Sequence, residues 1–443
     1  MDKLIINGGK KLKGEVNIYG SKNVALKVLV VACLTDGEVI IDNVPLISDF
    51  ITMIEIIKEL GGEISFKDHC VSVKVKGFAG ERVSLEKAAV VRTSFMFLAP
   101  LLARVGKAII PNPGGCRIGA RPIDRIIEGL KKMGVSIDYE SEDGYFHAAC
   151  KNELKGVDYT FSKNTHTGTE TMILAAVLAK GKTVLKNAAE EPEVDELISF
   201  LNKMGADIKR IESRTIVING VSKLHGTNFK IGADRNEIVT FAVAGIITEG
   251  DILIKNITKN GLAEFLRELD KIGAGYEEKD NGIRFYYKGP LKPTDIVTSF
   301  YPGFMTDWQG PWAVLMTKAN GTSLIHEAVY ENRFNYVNEL KKMGAKIDLF
   351  NPVVENPEKF YNFNMVDDKD SYFHAANIHG PATLHNGVVE VSDLRAGATL
   401  VLAALAAKGE SVIFGVEHLD RGYENFEKRL QSLGASIKRI SEV

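Results

Sequence analysis

The stretch FITMIEIIKELGG, residues 50–62, decides the fold, because its ending recurs along the chain. An apolar residue followed by glycine, usually with alanine next, closes a charged amphipathic segment at six places. The gaps between successive glycines of this motif are 73, 71, 68, 71 and 90 residues. A period of this length indicates a fold assembled from similar supersecondary units. The six glycines are Gly61, Gly134, Gly205, Gly273, Gly344 and Gly434.

A second pattern runs in phase with the first. In it an apolar segment ends near a glycine and a β-rich run follows, as in LAKGKTVLKN and ITEGDILIKN. Each unit therefore predicts an apolar helix, a strand, an amphipathic helix closed by a C′ glycine with positive φ, and one or two further strands. The apolar helix, for example NVALKVLVVACL at residues 23–34, is apolar nearly all round and is expected to be buried. The sequence thus predicts an α/β fold of six βαβαββ-type repeats.

Three repeats per domain divide the chain into two similar halves, with a boundary near GTNFKIGADR. We predict a first domain over residues 20–232, which includes a loop at 111–122, and a second domain over residues 1–19 and 233–443. The last and longest gap places an insertion at residues 351–374, which is polar and aromatic without periodicity. It is predicted to be a surface loop, and its sequence indicates no function.

The composition is that of a soluble globular protein, with 55 basic and 57 acidic residues. This balance predicts no general affinity for nucleic acid or anionic membranes. The N-terminus lacks the long apolar core of a secretory signal, so a cytoplasmic protein is expected. The four cysteines are too scattered for a disulfide framework or a CxxC metal site. We predict no metal and no cofactor.

Polar clusters stand at or just before the start of each apolar helix. Helix capping explains the Ser, Thr and Asn members. It does not explain the cations, which oppose the positive end of the helix dipole and favour an anionic ligand there. We therefore expect polyanionic substrates, bound in one cleft if the buried helices converge. The clusters contain Lys22 and Asn23, Arg92, His166 and Thr167, Asp234 and Arg235, Asp307, and Asp393 and Arg395.

The loop PNPGGCRIGARP, residues 111–122, places Cys116 among glycines and arginines. Neighbouring guanidinium groups stabilise a thiolate and lower its pKa, which favours a reactive thiol. The alternative is an ordinary thiol on an exposed phosphate-binding loop.

With these residues the chain resembles the UDP-N-acetylglucosamine 1-carboxyvinyltransferases, a family of enolpyruvyl transferases. The resemblance covers nearly the whole chain except the insertion, and PGGCRIGARP is its most specific motif. The other motifs are GGKKLKGEVNIYGSKNVAL, VVRTSFMFLAPLLAR, FMTDWQ, YENRF, DLRAGATLVLAALA and HLDRGYENFEKRLQSLGA. It implies the inverse α/β barrel of that family. It also implies transfer of the enolpyruvyl group of phosphoenolpyruvate to the 3′-hydroxyl of UDP-N-acetylglucosamine, the first committed step of peptidoglycan synthesis.

The resemblance also implies roles for single residues. Lys22, Arg121 and Arg395 match ligands for the phosphate and carboxylate of phosphoenolpyruvate. Cys116 matches the loop cysteine that acts in proton transfer at C3 or in product release and is alkylated by fosfomycin. Asp307 matches the residue that takes the proton from the sugar hydroxyl.

Other positions match residues that bind the nucleotide or line the cleft. Asn23 and Arg92 match positions that hold the sugar nucleotide or support loop closure, Arg333 matches a cleft arginine, and Val329 is expected to keep an apolar contact near the nucleotide. The uridine-binding segment corresponds to Arg121, Pro122, Ile123 and Asp124. His166, Thr167 and Gly168 occupy the diphosphate turn in place of a Ser-Val-Gly-like sequence. Here His166 either pairs with the diphosphate or only caps a helix.

Two other functions remain open from the sequence. The sister enzyme 3-phosphoshikimate 1-carboxyvinyltransferase shares the repeat and the Lys/Asp/Arg pattern, but it lacks the loop cysteine. A non-catalytic paralogue that binds a sugar nucleotide would be expected to have lost at least one catalytic position. Lys22, Cys116, Arg121, Asp307 and Arg395 are all present. The expected partners are the two small-molecule substrates, and the sequence does not indicate an oligomeric state.

Overall fold

The computed structural model describes residues 2–115 and 118–441 of the 443-residue chain. The chain forms two compact units. The first unit comprises residues 19–116 and 122–232, and the second comprises residues 1–18, 117–121 and 233–443. The sequence prediction placed the whole 111–122 loop in the first domain, whereas the structure assigns residues 118–121 to the second unit. The physical reason is a hydrogen bond from the backbone amide of Ala120 to the carboxylate of Glu331.

The described part of the first unit contains three β-sheets. Each sheet is mainly antiparallel, and the edge strands Asn228–Lys230 and Asp158–Thr160 pair in parallel with their neighbours. In hydrogen-bonded order, the sheets are Asn228–Lys230, Val39–Asp42, Cys70–Lys74 and Glu63–Lys67; Lys107–Pro111, Tyr145–Ala149 and Ser136–Glu140; and Asp207–Glu212, Thr215–Asn219, Lys182–Lys186 and Asp158–Thr160.

The described part of the second unit also contains three sheets. The first and last strands described belong to it, since Asp2–Asn7 pairs antiparallel with Ser436–Ser441, and Lys13–Asn17 pairs in parallel with Asp251–Lys255. In hydrogen-bonded order, the sheets are Val388–Glu390, Glu410–Phe414, Asp2–Asn7 and Ser436–Ser441; Gly275–Lys279, Gly282–Tyr286, Asp251–Lys255 and Lys13–Asn17; and Phe304–Met305, Ile296–Ser299, Thr322–His326, Ala375–His379 and Ile347–Phe350.

The helices divide into buried and amphipathic ones, as the repeat predicts. The buried helices are Lys22–Ala32, Leu98–Val105, His166–Ala176, Arg235–Ile247, Gln309–Met316 and Leu394–Ala406. The amphipathic helices are Ser48–Glu59, Asp124–Lys132, Pro192–Lys203, Ala263–Ile272, Val337–Lys342 and Phe426–Ser432. Shorter helical segments are Leu85–Val90, Arg92–Phe97, Thr306–Trp308, Pro357–Phe360, Met365–Asp367 and Glu417–Asp420. Among the residues described, no helix has both the length and the apolarity needed to cross a membrane.

The glycines of the repeat motif adopt the predicted left-handed backbone. Their φ angles are 93°, 95°, 97°, 80°, 91° and 96° in chain order. A residue without Cβ accepts this conformation at little cost, so the amphipathic helix can end and the chain can turn into the next strand. The predicted helix ending is therefore confirmed in all six repeats.

The insertion at residues 351–374 is more ordered than the predicted surface loop. It contains the helix Pro357–Phe360 and the 3₁₀ turn Met365–Asp367. Tyr361 and Phe363 are only 4% and 6% exposed and pack against Ala328. The prediction of a surface loop was wrong for this part of the segment, because aromatic burial does not require helical or strand periodicity.

Candidate active site

Asp307 of the second unit lies between two arginines. It belongs to the 3₁₀ turn Thr306–Trp308, directly before the buried helix Gln309–Met316. Arg333 donates from Nη2 to Asp307 Oδ1 at 3.0 Å, and Arg395 donates from Nη2 to Oδ2 at 3.3 Å. Burial raises the pKa of Asp307, but the two cations outweigh burial and hold the pKa below its usual value. The carboxylate is therefore ionised and serves as a hydrogen-bond acceptor.

The two arginines are themselves held by buried groups. Asp393 caps the helix Leu394–Ala406 by accepting from the backbone amide of Arg395 at 2.9 Å. The same carboxylate lies 3.6 Å from Arg333 Nη1. Arg395 also donates from Nη1 to the hydroxyl of Tyr423 at 3.1 Å. The guanidinium groups are thus held in place by neighbouring protein groups, which is the arrangement that electrostatic stabilisation requires.

Glu327 supports this region and was missed in the sequence analysis. Its Oε2 accepts from Thr306 Oγ1 and Gln309 Nε2, each at 2.9 Å. Its Oε1 accepts from the backbone amides of Val329 and Tyr330 at 2.9 and 3.0 Å. The buried glutamate therefore ties the segment of Val329 to the start of the Asp307 helix. The only sequence signal was an acidic residue directly after an apolar strand.

Asn236 was not identified in the sequence analysis, but its side chain contacts Asp307. Asp234 is the cap, because its side chain accepts from the amide of Asn236 at 2.8 Å. The Asn236 side chain lies 3.4 Å from Asp307 Oδ2 through Nδ2, and its Oδ1 accepts from Trp308 Nε1 at 3.0 Å. The indole thereby orients the amide with its NH₂ group toward the carboxylate.

Arg121 lies in the part of the loop that belongs to the second unit. Its φ is 49°, and its guanidinium lies 5.9 Å from the ring centre of Tyr330. It is among the cations that lower the pKa of Asp307. The other three residues of the predicted uridine segment belong to the first unit and lead into the helix Asp124–Lys132: Pro122, Ile123 and Asp124.

Lys22 of the first unit begins the helix Lys22–Ala32 and forms a buried ion pair. Its Nζ lies 2.7 Å from Asp49 Oδ2. Ser21 precedes the helix but its side chain makes no capping hydrogen bond, so capping does not explain this cluster. Asn23 follows in the same turn. Asp49 was not identified from the sequence, because nothing in the local pattern distinguishes it from an ordinary acidic residue in the first turn of a helix.

Arg92 of the first unit contacts the loop that carries the predicted reactive cysteine. It donates from Nη1 to the carbonyl of Pro113 at 3.4 Å. A Cβ atom at Gly115, whose φ is 106°, would lie 3.1 Å from Arg92 Cβ. The loop backbone thus passes close to Arg92. Cys116 itself lies outside the described residues.

The turn predicted to bind a diphosphate opens the helix His166–Ala176. Thr165 caps this helix, since its Oγ1 accepts from the amide of Gly168 at 3.1 Å. A Cβ atom at Gly168 would lie 2.4 Å from the Thr165 side chain, so the cap requires glycine there. Thr167 lies between His166 and Gly168 in this first turn. The cap is supplied by threonine, which leaves the His166 side chain for another role.

His166, which is half-buried, contacts a buried ion pair that the sequence did not indicate. Glu170 Oε1 lies 3.2 Å from His166 Nε2, and Glu170 Oε2 lies 2.5 Å from Lys27 Nζ. Burial and Lys27 lower the pKa of His166, but Glu170 raises it more, so the pKa lies above its usual value. The only sequence signal for Lys27 was that it is a single cation in an otherwise apolar helix.

The structure therefore brings Asp307, Arg333 and Arg395 into direct contact and places Arg121 within electrostatic range of Asp307. Residues 2–115 and 118–441 contain no group of three or more His, Cys, Asp or Glu side chains that could hold a metal ion.

Comparison with known proteins identifies the fold and the family of the chain. Residues 6–430 match the family model described as EPSP synthase (3-phosphoshikimate 1-carboxyvinyltransferase). The enolpyruvyl transferase NikO from Streptomyces tendae has a similar structure, with a TM-score of 0.86 and 23% identity over 100% of this chain and 99% of that one. EPSP synthase from Acinetobacter baumannii has a TM-score of 0.72 and 19% identity over the full length of both chains. The fold is thus that of the enolpyruvyl transferases, as predicted.

Relatives by sequence show to which family of enolpyruvyl transferases the chain belongs. The chain is 40% identical over 447 residues to UDP-N-acetylglucosamine 1-carboxyvinyltransferase of Koribacter versatilis, covering 100% of this chain and 98% of the relative. It is 41% identical over 442 residues to UDP-N-acetylglucosamine 1-carboxyvinyltransferase 3 of Caldanaerobacter subterraneus subsp. tengcongensis, covering 100% of both. The chain belongs to the UDP-N-acetylglucosamine 1-carboxyvinyltransferase family of enolpyruvyl transferases, which confirms the resemblance found in the sequence.

Proposed function

We propose that this chain transfers the enolpyruvyl group of phosphoenolpyruvate to the 3′-hydroxyl of UDP-N-acetylglucosamine and releases inorganic phosphate. The observation that carries the proposal is the position of Asp307 between the buried guanidinium groups of Arg333 and Arg395, in a chain of this family. The reaction would be the first committed step of peptidoglycan synthesis, carried out in the cytoplasm.

In the addition step the sugar hydroxyl oxygen bonds to C2 of phosphoenolpyruvate, its proton passes to Asp307, and C3 gains a proton. Because the pKa of Asp307 is lowered, proton transfer must accompany attack rather than precede it. In the elimination step C3 loses a proton, the double bond re-forms, and the bond from C2 to the phosphate oxygen breaks. Cys116 is the proposed partner at C3 or in product release, and its alkylation would make fosfomycin an inhibitor.

Cationic side chains would neutralise the anionic groups of the reactants. We assign the phosphate and carboxylate of phosphoenolpyruvate to Lys22, Arg121 and Arg395. Their proposed contribution is electrostatic stabilisation of the anionic groups and involves no proton transfer. Arg333 would act mainly by holding Asp307.

The sugar nucleotide would be bound by the remaining residues of the predicted site. The first turn of the helix His166–Ala176 offers backbone amides and a histidine with a raised pKa, which suits a diphosphate. We assign the diphosphate to His166, Thr167 and Gly168, the uridine to the segment 121–124, and further contacts to Asn23, Arg92 and Val329.

The test is phosphate release from phosphoenolpyruvate with each of two acceptors, UDP-N-acetylglucosamine and shikimate 3-phosphate. We expect release only with the sugar nucleotide. Release only with shikimate 3-phosphate would assign the chain to the sister activity. Release with neither, from protein that still binds UDP-N-acetylglucosamine, would indicate a non-catalytic paralogue.

A further inference from the structure

Glu331 of the second unit lies directly on the backbone of the loop. Its Oε1 accepts from the amide of Ala120 at 2.5 Å, and the residue is only 2% exposed. A Cβ atom at Gly119, where φ is 147°, would lie 2.5 Å from Glu331 Oε2. The carboxylate therefore fits against this backbone only because residue 119 is glycine. The next residue along is Arg121.

The chain segment that carries Glu331 is covered by the insertion at residues 351–374. The amide of Asn362 donates to the carbonyl of Ala328 at 2.8 Å. The hydroxyl of Tyr361 lies 3.0 Å from Nε2 of the buried His326, and Tyr361 packs against Ala328. The insertion is thus anchored to the residues that immediately precede Glu331 in the sequence.

The two ends of the insertion are also tied together. Asn351 Oδ1 accepts from the amide of His374 at 2.8 Å, and the amide of Glu327 donates to the carbonyl of His374 at 2.7 Å. His374 Nε2 lies 3.0 Å from Asp368 Oδ2. The pKa of Glu331 lies above its usual value, mainly because the residue is buried. The backbone amides of Ala120 and of Glu331 itself lower this pKa, and the negative charges of Asp367 and Asp368 raise it. The insertion therefore packs against residues that precede Glu331 and places two acidic side chains within electrostatic range of it.

We propose that Glu331, supported by the 351–374 insertion, is a positioning residue that fixes the backbone of residues 119–121 and thereby the guanidinium of Arg121. This inference rests on the proposed function, in which Arg121 binds phosphoenolpyruvate. A displaced ligand group costs catalysis because reacting groups must be held in near-attack geometry, and a shift of about 1 Å can cost ~10²-fold in rate.

The first test compares three substitutions at Glu331 in the full chain. Glu331→Ala removes the acceptor, Glu331→Asp keeps the charge but withdraws it by one methylene, and Glu331→Gln keeps an acceptor oxygen at the same reach. We expect hydrogen exchange of peptides covering residues 118–126 to be at least about 10-fold faster in the Ala and Asp variants. The Gln variant should stay within about 3-fold of the unsubstituted protein, because its amide oxygen can still accept from Ala120.

Kinetics supply the second readout. For the Ala and Asp variants we expect kcat/KM for phosphoenolpyruvate to fall about 10- to 100-fold with a raised KM, and the Gln variant to recover most of it. Unchanged exchange and unchanged KM in the Ala and Asp variants would overturn the proposal. If the Ala variant does not fold, the Asp and Gln variants are compared instead, and equal exchange and equal KM in these two variants would overturn the proposal. If the unsubstituted chain shows no transferase activity but the exchange differences persist, the proposed function fails while the loop contact stands.

The contribution of the insertion is tested with Tyr361→Ala and a control in the same segment. Tyr361 anchors the insertion, whereas Val366 is 90% exposed, so Val366→Ala should leave exchange of the 118–126 peptides unchanged. We expect Tyr361→Ala to accelerate that exchange in the same direction as Glu331→Ala but by a smaller factor, with the protein still folded by circular dichroism. Equal exchange in the two variants would remove the insertion from the proposal.

Discussion

Arg395 donates to Asp307 Oδ2 at 3.3 Å while Arg333 donates to Oδ1 at 3.0 Å, so both oxygens of one carboxylate are held by cations. This contact keeps the carboxylate charged and oriented, at the expense of its strength as a base. Catalysis by such a group depends on position rather than on basicity.

Asp307→Ala should bind UDP-N-acetylglucosamine but turn over slowly. Removing a positioned proton acceptor typically costs about 10²–10⁴ in kcat. The measurements are calorimetric titration with the nucleotide and phosphate release under saturating substrates. Asp280→Asn, at an exposed carboxylate, is the matched control and should turn over normally. Turnover of Asp307→Ala within a factor of three of the unsubstituted protein would exclude the assigned role.

Asp49→Ala should lower the stability of the folded protein. Lys22 Nζ lies 2.7 Å from Asp49 Oδ2, with the two side chains only 11% and 4% exposed. Removing one member of a buried ion pair typically costs about 3–5 kcal/mol, because the other charge is left buried. Urea unfolding measures the free energy, and Asp36→Ala, at an exposed acidic residue of the same unit, is the control. A loss below about 1 kcal/mol would contradict the structural role of the pair.

Nucleotide affinity should fall as the pH rises through the pKa of His166. That pKa is raised above 6.5, and only the protonated imidazole attracts a diphosphate, so binding is strongest below the pKa and weakens above it. The groups that set the pKa are Glu170, Lys27 and Glu191. Titration with UDP-N-acetylglucosamine between pH 6 and 9 measures the slope, which His166→Gln should flatten. His147→Gln, at a more exposed histidine, should retain it. Equal slopes in both variants would place the titrating group elsewhere.

The folded state should lose stability in acid because of His326. Burial, with a smaller effect from His374, lowers the pKa of His326 to about 4 in the folded protein, whereas the unfolded value is about 6.5. Between these two pH values the unfolded chain binds more protons than the folded protein. The free energy of unfolding therefore falls by up to about 3 kcal/mol as the pH drops from about 6.5 to about 4, and it levels off below that. Unfolding measured at pH 7 and 4.5 should show a smaller difference in His326→Gln than in His225→Gln, which lies on the surface. The same difference in the two variants would refute this.

Gly134→Ala should destabilise the protein through backbone strain alone. The glycine has φ of 95° and no neighbouring atom within 4 Å of a Cβ placed there. Left-handed backbone costs a residue with Cβ about 1–2 kcal/mol. Gly77→Ala is the control, since it also has open space but no positive φ. Thermal unfolding compares the two, and an unaffected Gly134→Ala would mean that the helix ending does not depend on glycine.

The repeat, the buried helices and the helix endings could all be predicted from the sequence. Each depends on residues close together in the chain, such as a glycine that must adopt positive φ or an apolar segment too long to remain exposed. The sequence also singled out Asp307 and Arg395, which the structure brings into contact, because charged groups at the start of apolar helices are unusual.

The partners of those residues were decided by the tertiary structure. Asp49 reaches Lys22, Glu170 reaches Lys27, and Glu331 reaches Ala120 across 211 residues of chain. A long-range contact leaves no periodicity in the sequence, because each residue is locally compatible with an ordinary helix or loop. The local sequence pattern determines which helices and strands form. The packing of those elements determines which charged side chains come into contact, and these contacts shift the pKa of each group.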